Sequence, residues 1–90
     1  MIPKNRMPTH PGSILKNEFL EPMGMSQVEL ARRMGVPVQR VNTLINGKRD
    51  VTAETALLLA RVLKTSAEMW MNLQVALDLY KASRHIDQAA

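Results

Sequence analysis

The sequence predicts an all-α fold, a five-helix bundle, and three observations carry that prediction. Apolar residues recur at helical spacing in five segments, each opened by a capping residue or a proline. Residues 26–49, SQVELARRMGVPVQRVNTLINGKR, read as two short helices joined by a tight turn. Residues 56–60, Ala-Leu-Leu-Leu-Ala, are apolar on nearly every side, the pattern of a helix enclosed by others, and no segment alternates convincingly as a strand.

Ninety residues make one domain that buries about 60–65 % of the surface its unfolded chain exposes. At 46 % hydrophobic and 22 % charged, the composition argues against overall disorder. Phe19, Trp70 and Tyr80 are the only aromatic residues, so the core must be aliphatic, with several of the seven methionines filling gaps. Without cysteine there is no disulfide framework and no thiolate chemistry, which fits a reducing compartment. No apolar run approaches a membrane span of about 18 residues, and the N-terminus lacks a signal-peptide core. A soluble, cytoplasmic protein with no membrane contact is expected. Net charge is +4, and the excess belongs to residues 1–50, which carry eight Lys/Arg against four Asp/Glu; residues 51–90 carry four of each. That asymmetry points to a nucleic-acid face in the first half and core or protein contacts in the second.

Residues 1–10, with Pro3, Lys4, Arg6 and Pro8, read as an extended N-terminal arm. Its two cations either touch a phosphate backbone or are simply solvated. The domain proper spans residues 11–82. Pro11 opens a first helix that buries Ile14, Leu15 and Phe19 and ends near Glu21, because Pro22 pushes its predecessor out of the α region. Met23-Gly24-Met25 links it to the next element.

Ser26 caps the second helix and Glu29 completes a capping box. Leu30, Ala31 and Met34 form one face, and Gly35 ends the helix in a left-handed turn. Pro37 fits the first position of a third helix, whose inner face is Val41, Leu44 and Ile45 and which Asn46-Gly47 stops. Counting Gln27 as position one, apolar residues stand at four, eight, ten, fifteen and eighteen, a small residue at five and glycine at nine. This is the helix-turn-helix pattern. Gln39, Arg40, Asn42 and Thr43 lie off the apolar stripe and suit the reading of base edges in a major groove. Lys48 and Arg49 follow in a polar loop placed for phosphate contact.

Thr52 caps a fourth helix that runs to about Lys64 and is expected to be buried on most sides. The fifth helix starts either from a Thr65–Glu68 capping box or from Ser66 directly, and extends to Ala82 or beyond. Trp70, Leu73, Leu77 and Tyr80 form one stripe, which Met69, Met71, Val75 and Leu79 widen past the needs of a single core contact. Such surplus apolar surface marks a partner, and a two-fold homodimer interface is expected there. Residues 83–90 are expected to fray.

Three further stretches carry a resemblance: His10-Pro11-Gly12 with Ile14-Leu15 and Glu18-Phe19-Leu20-Glu21-Pro22; Asn46-Gly47-Lys48-Arg49 with Thr52-Ala53-Glu54-Thr55-Ala56; and Met69-Trp70-Met71-Asn72-Leu73-Gln74 with Asp78-Leu79. The helix-turn-helix resembles the XRE type of phage repressors, of lambda repressor-like fold. With these stretches the chain, over residues 8–82, resembles HigA-type antitoxins, also called virulence-associated protein I. The resemblance implies a dimeric repressor on a palindromic operator of double-stranded DNA, and a cognate toxin partner, a RelE-like mRNA endonuclease. By the same resemblance Gln27 is a phosphate contact, Val38, Gln39, Arg40, Asn42 and Thr43 are base-reading positions, and Lys48 and Arg49 contact the backbone. Pro37 stands where the family has Ser or Thr, which removes a side-chain cap worth roughly 1 kcal/mol. Val38 stands where a polar base reader is common, and offers a thymine methyl only a packing surface.

On the residues alone, Arg40 or Gln39 is the expected source of base discrimination. Neutralisation of a toxin is expected to use the folded surface, the arm or the short tail, with the arm and first helix ranked first. A free-standing XRE-type repressor without a toxin is the alternative, and a helical interaction module that has lost DNA binding is the third reading. An enzyme fits least. His10 and His85 lie far apart without a carboxylate cluster, Ser26 and Ser66 read as caps, and no phosphate-binding glycine loop is present. No catalytic residue, cofactor or metal is expected, and the two histidines read as surface residues.

Overall fold

Pro11 sets the entry to the first helix, and His10 before it closes the open end. In the computed structural model, which describes residues 6–89, the His10 Nδ1 accepts the Gly12 N–H at 2.9 Å. The ring therefore serves as an N-cap, where Asp or Ser would ordinarily stand. Its side chain is only 14 % exposed, so His10 is not the surface residue that the sequence reading expects.

The first helix, α1, covers residues 11–23. It opens as a turn of α-helix over Pro11–Ile14, continues in π register over Leu15–Leu20, and returns to α-helix over Glu21–Met23. Pro22 does not stop it. A proline inside an α-helix lacks one hydrogen bond and its ring strikes the carbonyl four residues back. In the widened π turn the Glu21 N–H reaches back five residues to the Lys16 carbonyl, which opens the helix just where Pro22 enters. Gly24 then ends α1 in the left-handed region.

The second helix, α2, is Gln27–Met34. The Ser26 Oγ accepts the Glu29 N–H at 3.0 Å, as expected of a cap. The other half of the capping box does not form. The Glu29 carboxylate instead accepts from Arg32 Nε at 3.1 Å and Arg33 Nε at 2.6 Å, and these bonds, Arg32 first, hold its carboxyl down at about 2. Gly35, at φ +73°, lets Val36 return its N–H to the Ala31 carbonyl at 3.0 Å, so the chain reverses within two residues.

The third helix, α3, is Val38–Ile45. Pro37 is its N-cap, one position earlier than the sequence reading puts it, and its carbonyl accepts the Arg40 N–H at 3.0 Å. The fourth helix, α4, is Ala53–Leu63, capped by Thr52. It buries Thr55, Ala56, Leu59 and Leu63, but Leu57 is 60 % exposed, so α4 is covered on one side and not all round. Lys64 closes it at φ +57°, a left-handed position without glycine.

The fifth helix, α5, is Ala67–Ala89. Ser66 is its cap, accepting the Met69 N–H at 3.0 Å, while Thr65 accepts the Trp70 indole N–H at 2.7 Å. Trp70 has no exposed surface and tilts at 48° against Phe19, ring centroids 5.2 Å apart. The core gathers around these rings from Leu15, Leu30, Val41, Leu44 and Leu59, one or two from every other helix. The buried Gln74 side chain accepts the Val51 N–H at 2.8 Å and donates to Asp78 at 2.9 Å, tying α5 to the loop ahead of α4. Beyond residue 82 the chain does not fray but stays helical through Ala89.

Burial corrects the expected dimer stripe. Trp70 and Leu77 are interior residues of a single chain, and Leu73 and Tyr80 are half-buried. Side chains already enclosed by their own fold cannot also line an exposed face. The exposed apolar residues of α5 are Val75, Leu79 and Ile86, about 170° round the helix from Trp70 and Leu77.

Candidate nucleic-acid interface

The interface begins with a close contact. Gly12 is buried where α1 meets the C-terminal end of α3, and a Cβ there would stand 1.9 Å from the Leu44 carbonyl oxygen. No larger residue fits, which explains the His-Pro-Gly opening physically. His10 caps the helix, Pro11 starts it and Gly12 lets it touch α3. The His10 ring also lies beside Gly47, so one end of α1 steadies the loop after α3.

Helical geometry then divides α3. Val41 and Leu44 point inward, and Val38, Gln39, Asn42 and Asn46 are exposed on the opposite side. Val38, Asn42 and Asn46 follow one another at four-residue spacing, a single row along the helix. The Asn42 Nδ2 donates to Gln27 Oε1 of α2 at 3.1 Å, and its Oδ1 accepts from Asn46 Nδ2 at 3.2 Å. The structure thus brings Gln27, Val38, Gln39 and Asn42 together on one surface.

Arg40 and Thr43 are turned away from that row. The Arg40 Nη2 donates to Glu54 at 2.6 Å and to Thr55 at 3.1 Å, both in the first turn of α4, and its Nε is buried without a partner among the described residues. The Arg40 side chain is only 24 % exposed. Arg40 therefore braces α3 against α4 in the free protein and does not project as an outward base reader, contrary to the expectation. The Thr43 hydroxyl donates back to the Gln39 carbonyl at 2.9 Å and accepts from Arg49 Nε at 3.4 Å, so it holds the loop cation in place. Lys48 and Arg49 are exposed in that loop. The sequence reading missed Asn46 and Glu54 as partners in this site. Asn46 was readable as the next member of the Val38–Asn42 row; Glu54 had no local signal. Lys16, on α1, lines the same shallow cleft as Ser26 and Gln27, another cation the reading left out. Of the two cations of the N-terminal arm, Arg6 is exposed and Lys4 lies outside the described residues.

Among the described residues no group of His, Asp and Glu stands close enough to hold a metal, and no helix is long and apolar enough to cross a membrane. Two crossed helices with a glycine turn, the second exposing a polar row, define a helix-turn-helix protein. Comparison with known proteins agrees. The helix-turn-helix family model matches residues 17–70. Virulence-associated protein I of Dichelobacter nodosus is 44 % identical over 82 residues, 90 % of this chain and 76 % of that protein. Antitoxin HigA-1 of Vibrio cholerae is 42 % identical over 85 residues, 94 % of this chain and 80 % of that one. The solved structure of antitoxin GraA in complex with its operator superposes with a TM-score of 0.86 at 40 % identity, covering 99 % of this chain and 91 % of that one. The chain belongs to the HigA-type antitoxins of the XRE helix-turn-helix family. That is a family of DNA-binding regulators, not of enzymes.

Proposed function

We propose that this chain is a sequence-specific DNA-binding antitoxin that represses its own operon as a dimer in the cytoplasm and neutralises a RelE-like mRNA endonuclease. The observation that carries the DNA half is the exposed surface of Val38, Gln39 and Asn42 on a helix whose other side is locked into the core. Gln27 at the start of α2, with Lys48 and Arg49 after α3, would fix register on the phosphates. Arg40 and Thr43 serve by setting the pose of α3 and of Arg49. The relative solved with its operator supports this reading.

A two-fold dimer sets two α3 helices about 34 Å apart, one turn of duplex. We place its interface on Val75, Leu79, Ala82 and Ile86, at spacings of four, three and four, the seam by which two helices pair. Half-buried Leu73 and Tyr80 lie roughly 140° round α5 from that seam, so with the interior Trp70 and Leu77 they support it from behind. Gel-shift titration on the DNA upstream of its gene, at several salt concentrations, tests the repressor. Specific binding whose logarithm falls linearly with log salt is expected, and equal affinity for operator and scrambled duplex refutes it. Leu79→Glu should dissociate the dimer in sedimentation. Co-expression with the adjacent reading frame tests the toxin. A neighbour that is harmless alone and does not co-purify leaves a free-standing repressor as the function.

A further inference from the structure

We infer that Asn42 is the adenine-reading residue of the recognition helix, with Gln27 and Asn46 as the positioning residues that present its amide. The inference rests on the proposed operator binding and deepens it. Asn42 is the one exposed polar side chain on α3 between Val38 and Ile45 whose rotation is arrested by side chains on both sides, in the turn ahead and across to α2. A primary carboxamide has two N–H donors and two acceptor lone pairs. Gln27 takes one donor and Asn46 takes one lone pair, so one donor and one acceptor remain on the same amide. Reversing all three amides together would leave the same pair, so the result does not depend on which atom is oxygen.

One donor beside one acceptor is what the major-groove edge of adenine requires, where N7 accepts and the N6 amino group donates. Guanine offers two acceptors there and would leave the Asn42 acceptor facing another acceptor. The fit therefore discriminates between purines. The exposed Gln39 lies next to the row with no side-chain partner among the described residues, so its rotamers are lost only on binding. Arg40, the obvious guanine reader, is engaged by Glu54 and Thr55. Gln27 keeps both of its own amide hydrogens, enough to hold a phosphate oxygen while its carbonyl oxygen steadies Asn42.

The test is selection from duplexes with a randomised core, followed by 7-deazaadenine substitution at each adenine of the wild-type consensus. The wild type is expected to enrich an invariant adenine in each half-site, and loss of its N7 should weaken binding by roughly 5- to 150-fold. Asn42→Ala, an exposed change whose folding is verified by its melting curve, should bind the deaza and natural duplexes alike. Gln27→Ala should lose much of the discrimination. Gln27→Glu, which still accepts from Asn42, should keep it while binding every duplex more weakly. If Asn42→Ala stays sensitive to every N7, or Gln39→Ala removes the sensitivity instead, the assignment to Asn42 is overturned while operator binding stands. If Gln27→Ala keeps full discrimination, the positioning role is wrong. A wild type that enriches no consensus overturns operator binding and this assignment together.

Discussion

Replacing Gly12 by alanine is the sharpest probe of how the recognition helix is held. The added Cβ would lie 1.9 Å from the Leu44 oxygen, 2.8 Å from its carbonyl carbon and 3.0 Å from the Ile45 Cα. A carbon–oxygen contact rarely closes below about 3.3 Å, so the backbones must part by roughly 1.4 Å. All three atoms belong to the backbone of α3, and none can swing aside as a side-chain tip would. Overpacking in a core costs about 1–3 kcal/mol, and with rigid neighbours the upper end applies. A gain of up to about 1 kcal/mol in helix propensity offsets part of it, which leaves a net loss of about 2 kcal/mol. For a domain of this size that lowers Tm by roughly 8–16 °C. Thermal unfolding followed by circular dichroism at 222 nm reads the change. Gly24→Ala is the control, because its φ is +63° but nothing stands within 4 Å of the added Cβ. It should lose only the left-handed penalty of about 1–2 kcal/mol, and its DNA affinity should be unchanged. Gly12→Ala should also weaken operator binding, since it displaces the helix that carries the readers. A Gly12→Ala protein that melts within about 2 °C of wild type would refute the close-contact argument.

Three other outcomes follow from the geometry. Gln74→Leu removes the partner of the buried Val51 N–H and should cost about 1–3 kcal/mol in urea unfolding; an unchanged midpoint would mean that the bond contributes nothing. Lys64→Gly relieves the left-handed backbone at the end of α4 and, after the entropy that glycine adds to the unfolded chain, should raise stability by up to about 1 kcal/mol. Glu29 has its carboxyl lowered from 4.5 to about 2 by Arg32 and Arg33, so its contribution is present above pH 4.5 and is lost as the pH falls toward 2. The melting temperatures of wild type and Glu29→Gln should therefore converge over that window, and a difference that stays constant down to pH 2 would contradict the assignment.

What was legible in the sequence is what neighbouring residues settle among themselves. Ser26, Thr52 and Ser66 cap helices because a hydroxyl two or three residues from a free N–H needs no help from the rest of the fold. Gly35 turns the chain for an equally local reason. The inward face of α3, Val41 and Leu44, followed from period alone. Pro22 shows where a local rule fails. Proline ends a helix only if the helix keeps α register, and the π turn over Leu15–Leu20 removes the clash on which the rule depends.

The amino-acid order by itself determined five helices, the helix-turn-helix register and the family, because each depends on spacing within one or two turns of chain. Only the tertiary structure decided which polar groups face outward. Arg40 and Asn42 are two residues apart with similar claims as base readers, yet one meets Glu54 fourteen residues on and the other meets Gln27 fifteen residues back. Those partners are set by the angles at which α2 and α4 cross α3, and the angles come from packing around Leu44, Leu59 and Trp70. The same holds for α5, whose apolar residues outnumber its core positions. Burial of Trp70 and Leu77 by the rest of the chain is what leaves Val75, Leu79 and Ile86 as its open face.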